Sequence, residues 1–261
     1  MTQPHREGML RAMRARFRQA SWFLVGALSC FGCNSGTETG NPSVTGALSY
    51  TGYSSKPDYG VREGGAVATI ANAWFDLGSV DISPDGACGI DDGEAFSVPA
   101  LGVGDHAAGN HNSTPFAARP GSFCSVALPF QRVPSTATAA SLPEELRGES
   151  LLITGKLADG TPFSIASRAI SVIELRAEGS GFVLSADQAD AVIAFDFGAW
   201  LDGVDLAAAE RVDGQIVISS SSNSSLLAAF EKNVGSGVAL YRDRDGDGLV
   251  DDDAELLARG Q

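Results

Sequence analysis

The sequence predicts a mainly β fold, a β-sandwich or a partly closed barrel with one short helix near the C-terminus. Three observations carry this. Apolar residues alternate at a period of two, as at Cys124, Val126, Leu128 and Phe130. Glycine-rich turn signals separate the apolar runs. Beyond residue 60, only the stretch around Leu226, Leu227 and Phe230 has convincing helical spacing.

Residues 1–33 read as an export signal. A basic head, HREGMLRAMRARFR (5–18), carries five arginines. It is followed by the apolar run SWFLVGALSCFGC (21–33), shorter than the ~20 apolar residues a transmembrane helix needs. Ending in cysteine, the segment resembles bacterial lipoprotein signals, in which the thiol receives a diacylglycerol. Both Cys30 and Cys33 qualify. Ala27-Leu28-Ser29 suits the outer positions before Cys30, and Gly32 suits cleavage before Cys33. Lipidation at Cys33 leaves an even pair, Cys88 and Cys124, and so favours Cys33. Neither candidate is followed by Asp, so the resemblance implies the outer membrane.

Residues 34–60, rich in Gly, Ser, Thr and Asn, are expected to be a flexible tether. GTETGNP (36–42) resembles the openings of a group of uncharacterised Gram-negative lipoproteins. This supports the address and not an activity.

The β domain is expected over 61–242. Ala66 to Ile82 is dense in β-branched and aromatic residues, with a phase break at Gly78-Ser79 that suggests a bulge. Phe123 to Val133 is a second strand whose alternation turns Cys124 inward. Leu151–Ile153 and Phe163–Ile165 flank ADGT (158–161), a hairpin signal. Strands follow at Ile170–Leu175, Phe182–Leu184, Ala191–Phe197 and Gly214–Ser219. The helix is capped by Ser222 or Asn223 and stops before Gly235; Val238–Tyr241 is a last strand. GFVLSADQADAVIAFDFGAWL (181–201), with its Phe195-Asp196-Phe197 segment, resembles the end of the DUF4382 type of domain found in bacterial lipoproteins. That resemblance implies a β-sandwich and no catalytic residues.

The final segment, 243–261, is an acidic tail carrying a calcium-loop pattern. Asp243, Asp245 and Asp247 alternate, Gly248 follows, and Asp251 stands ninth. In DxDxDG loops, oxygens at positions one, three and five converge on a hard cation while glycine permits the sharp turn. The seventh position would offer the Leu249 carbonyl. Position twelve departs from an EF-hand: Ala254 stands there, with Asp253 and Glu255 beside it to complete the shell. The loop therefore resembles dockerin and thrombospondin type-3 loops, with a short helix expected over Ala254–Ala258.

Composition narrows the partners. The formal charge is −14; without residues 1–33, 13 of the 18 basic and 31 of the 32 acidic residues remain, a balance of −18. Nucleic acid and anionic lipid heads need clustered Lys and Arg, so both are disfavoured. In an oxidising compartment, Cys88 and Cys124 are expected to form a disulfide. His106 and His111 lie in a Gly/Asn-rich stretch that reads as exposed loop rather than a metal site. GxSxG, HExxH, phosphate-loop and SxxK signatures are missing. Asp196 reads as a satisfied strand carboxylate. Trp74, Trp200 and Tyr241 read as core rather than a sugar-stacking surface. The expectation is a lipid-anchored envelope module, non-enzymatic, structural or ligand-binding, stabilised by calcium, with an unknown protein or glycan as its ligand. The alternative is an envelope hydrolase, acting on glycans, with carboxylates dispersed in sequence.

Overall fold

A computed structural model describes residues 43–85, 88, 93–107, 112–137, 141–251 and 254–261. The segment expected to be an export signal, with Cys30 and Cys33, the first part of the expected tether, His111 and Asp253 lie outside the described residues. The strands run β1 Val44–Tyr53, β2 Tyr59–Val61, β3 Ala68–Leu77, β4 Val80–Ser83, β5 Phe96–Val98 and β6 Gly102–Asp105. Next come β7 Asn112–Ala118, β8 Gly121–Phe123, β9 Ser125–Gln131, β10 Leu151–Leu157, β11 Pro162–Ser167, β12 Val172–Ala177 and β13 Phe182–Leu184. β14 Ala191–Asp196 leads straight into a single helical turn, α1 Phe197–Trp200. β15 Arg211–Val212, β16 Gln215–Ile218, α2 Ser224–Val234, β17 Val238–Arg242 and β18 Leu256–Gly260 complete the order.

The fold is mainly β, a curled half-barrel sheet with one C-terminal helix. Its main path is β15-β16-β11-β10-β3-β9-β12-β18-β17-β14-β1-β7. The hairpin β10–β11 forms around the ADGT turn, pairing Leu151 with Ser167 and Lys156 with Pro162. β3 and β4 both pair with β9, and the register slips by one residue across Gly78-Ser79, Leu77 facing Phe130 and Asp81 facing Ala127, as the expected bulge requires. β3 pairs in addition with β10 and β6, and β4 with β5. Cys124, Val126, Leu128 and Phe130 are all buried, as their alternation requires.

The hollow of the curl is filled by one large apolar cluster that includes Phe75, Phe195, Phe197, Trp200 and Phe230. The helix α2 contributes Leu227, Phe230 and Val234 to it, while Leu226 is only partly buried. Asn223 precedes α2 at φ 52° but does not cap it with its side chain. Its amide instead donates to the Glu210 and Val217 carbonyls and accepts from Glu210 N. Outside the β3–β10 pair, a small cluster of Val133, Leu146 and Leu152 covers Trp74.

Two expected boundaries are corrected. The tether does not extend to residue 60. β1 lies between β14, to which it runs parallel, and β7, to which it runs antiparallel. Its small residues serve close approach rather than flexibility. A Cβ on Gly46 would stand 2.7 Å from that of Ala189, and one on Gly52 would stand 2.5 Å from the Phe197 ring. The acidic tail is likewise no separate segment, because β18 lies inside the sheet between β12 and β17. Ala254–Ala258 is not helical: Leu257 and Ala258 are buried strand residues.

Candidate metal centre

The acidic loop connects two adjacent strands in the middle of the sheet. β17 and β18 pair antiparallel from Ala239↔Arg259 to Tyr241↔Leu256, with a register shift after Leu240. The loop's base is closed by Arg242 N, which donates to the Glu255 carbonyl at 2.9 Å. Asp243 N donates to the Asp190 carbonyl at 3.1 Å, fixing the first acidic residue to the entry of β14.

From this base the chain winds around Asp243, which is only 7% exposed. Its Oδ1 accepts from Gly246 N at 2.8 Å and its Oδ2 from Gly248 N at 3.0 Å. Both glycines have positive φ, 75° and 74°, where a side chain would be strained. Asp245 Oδ1 accepts from Asp247 N at 3.3 Å, and Asp247 Oδ1 from Leu249 N at 2.8 Å. The result brings carboxylate oxygens of Asp243, Asp245 and Asp247 within 4.8 Å of one another. Burial pushes the Asp243 carboxyl above the usual carboxylate range. The amides of Gly246 and Gly248 oppose that shift, and the charges of Asp245 and Asp247 add to it. These are hard oxygen donors, of the kind a divalent cation takes, gathered on one turn.

The remaining predicted ligands are placed differently. Leu249 is exposed, as is Asp251, whose carbonyl accepts from Ala254 N. Glu255 is not part of the three-carboxylate group. It reaches instead toward Arg242 Nε at 3.5 Å and Arg244 at 3.6 Å, drawn by two guanidinium groups. Arg242 was missed from the sequence. Its guanidinium is buried and donates to the Gln188 and Val183 carbonyls at 2.6 and 3.1 Å. The signal was strand phase, since Val238, Leu240 and Arg242 share the inward parity of β17. A 290 Å³ cavity beside the loop is lined by Asp187, Asp190, Arg242, Asp243, Arg244 and Glu255, among others. Asp190 is occupied there, accepting from Ala47 N at 2.7 Å.

The other candidates separate in space and role. Cys88 and Cys124 form a disulfide, with Cα atoms 5.7 Å apart. Asp196 is structural: it accepts from the Ser55 amide and hydroxyl and caps α1 through Ala199 N. Trp200 is fully buried, Trp74 packs on the outer cluster, and Tyr241 lines a 200 Å³ cavity with Tyr53, so the three do not share a surface. His106 is buried in the aromatic core and not an exposed loop residue. Among the described residues, no helix is long and apolar enough to cross a membrane.

No family model matches the chain, and no curated protein matches it. Among solved structures, it has a likeness to a protein from Eubacterium rectale determined by NMR. The two are 14% identical, with 70% of this chain and 91% of that one covered and a TM-score of 0.21.

Proposed function

We propose that the loop over 243–251 binds calcium and that the chain is a non-enzymatic, lipid-anchored envelope module whose β17–β18 connection is fixed by the cation. The observation that carries the reading is the convergence of Asp243, Asp245 and Asp247 within 4.8 Å, in a sequence that spaces them as DxDxDG. Those three carboxylates would hold the ion, with the Leu249 carbonyl and Asp251 as the further donors the motif implies. Bound calcium supplies positive charge to a carboxylate group that otherwise repels itself. The protein supplies the rest: Gly246 and Gly248 amides orient Asp243, and the sheet fixes both ends of the loop.

Titration calorimetry tests this at millimolar calcium, because extracellular loops of this kind bind with Kd on the order of 10⁻⁴ to 10⁻³ M. Heat that saturates with calcium, and a much weaker response to magnesium, is expected. No heat with either ion removes the reading. The anchor is tested separately. Changing both Cys30 and Cys33 to Ala should abolish labelled palmitate incorporation and release the protein from membranes; unchanged membrane fractionation contradicts it.

A further inference from the structure

His106 follows directly on β6, and its imidazole is built into the aromatic core. It lies flat on Phe75, with ring centroids 3.8 Å apart and planes 10° from parallel, and meets Phe195 edge-on at 5.8 Å. The residue is 6% exposed, and its Nε2 is buried without a hydrogen-bond partner in the protein. Its backbone N donates to the Ala73 carbonyl at 2.7 Å, so the ring and the β3–β6 pairing are fastened at one place.

Charge around the ring is sparse. Phe75 and Phe195 are neutral, and among the described residues Asp105 is the charged group whose field reaches the imidazole. The Asp105 carboxylate is itself committed. It accepts from Ala73 N, Ala107 N, Asn72 Nδ2 and Arg62 Nη2 at 2.8–3.1 Å. Arg62 also donates to the Ala107 carbonyl at 3.0 Å, holding its positive charge on the same segment. A second ring proton would therefore place a cation in an apolar, hydrogen-bond-poor site.

We propose that His106 is an acid-sensitive latch: protonation of its imidazole expels the ring from the aromatic core and releases the 102–107 segment from β3. Burial pushes the imidazole down to about 4, against the opposing pulls of a hydrogen bond to the Phe75 backbone and of the Asp105 charge. In the opened segment the ring regains its ordinary value near ~6.5. The depressed value means the neutral ring favours the closed state above about pH 6.5, and that preference is lost as pH falls toward about 4.

Amide exchange followed by mass spectrometry, between about pH 7 and about pH 5, tests the latch in the wild-type chain and in His106→Phe. Protection of residues 102–107 is compared with that of the β10–β11 hairpin. In the wild type, the opening constant of 102–107 should rise up to about tenfold for each pH unit below ~6.5, as one proton is taken up on opening. The hairpin should not follow, and His106→Phe should flatten the dependence. A flat wild-type profile, or an undiminished slope in His106→Phe, overturns the proposal. Should that variant not fold, the wild-type imidazole is titrated by NMR. Proton uptake coupled to loss of protection at 102–107 supports the latch. Ordinary titration with protection intact overturns it.

Discussion

Asp243 holds an expensive charge. It is nearly buried, its carboxyl is raised mainly by that burial, and Asp245 and Asp247 add repulsion. For a carboxylate with a raised folded-state value, stability falls as pH climbs through that value, because the unfolded chain ionises more readily. Without a cation, the protein should therefore be less stable at neutral pH than this loop would allow if neutral. Like charges at such separations cost on the order of 1 kcal/mol per pair at the dielectric constant of water. Asp245→Asn should raise the melting temperature in chelator, by relieving repulsion, yet abolish stabilisation by calcium. Equal calcium responses in the variant and the wild type would speak against Asp245 as a ligand. At this scale the motif was legible because its spacing is a local property. The place of Glu255 was not, because Arg242 and Arg244 compete for it and only the folded loop brings them close. His106 was misread for a similar reason: its polar neighbours in sequence say nothing about Phe75 and Phe195, which reach it from other strands.

At the scale of elements, β1 is the instructive case. Its Gly, Ser and Thr content matches that of a linker, yet Leu48 and Tyr50 are buried in the core. Small residues appear there because neighbours crowd the strand: Gly52 stands against Phe197 and the His106 carbonyl. Gly52→Ala should accordingly destabilise the fold by about 1–3 kcal/mol, a typical cost of overpacking. In a solvated tether the same change would be neutral, so chemical denaturation of the variant separates the two. β18 was hidden differently, since its five residues follow a run of acids and are too few to declare a period. By contrast the turn of the β10–β11 hairpin was legible, though its strands run longer than expected, because Asp159-Gly160 fixes the turn locally and Gly160 takes the required positive φ, 87°.

Across the whole molecule, one cross-link is covalent and a second is proposed. The Cys88–Cys124 disulfide spans 36 residues and ties the segment after β4 to the start of β9. The chain-entropy estimate for a loop of that length is ~4 kcal/mol. Reduction should lower the denaturation midpoint without changing the calcium response, whereas coupled loss of both would mean that the two links are not independent. The other cross-link is the proposed cation at the β17–β18 connection. It bears on global stability because β17 and β18 are interior strands of the sheet, flanked by β14 and β12. A tail hanging free of the sheet could take up an ion with little effect on unfolding.

The most direct test of that claim is the melting temperature in millimolar calcium against chelator, for the wild type and Asp247→Ala. Calcium binding to the folded state alone stabilises by RT ln(1 + [L]/Kd), ~1.4 kcal/mol at a tenfold excess over Kd, or about 3–6 °C for a domain of this size. The wild type should gain that increment, lose it in chelator, and owe it to Asp247, so that the variant melts alike in both. Identical melting of the wild type with and without calcium would contradict the account and leave the loop a turn of acidic residues with no ion to hold.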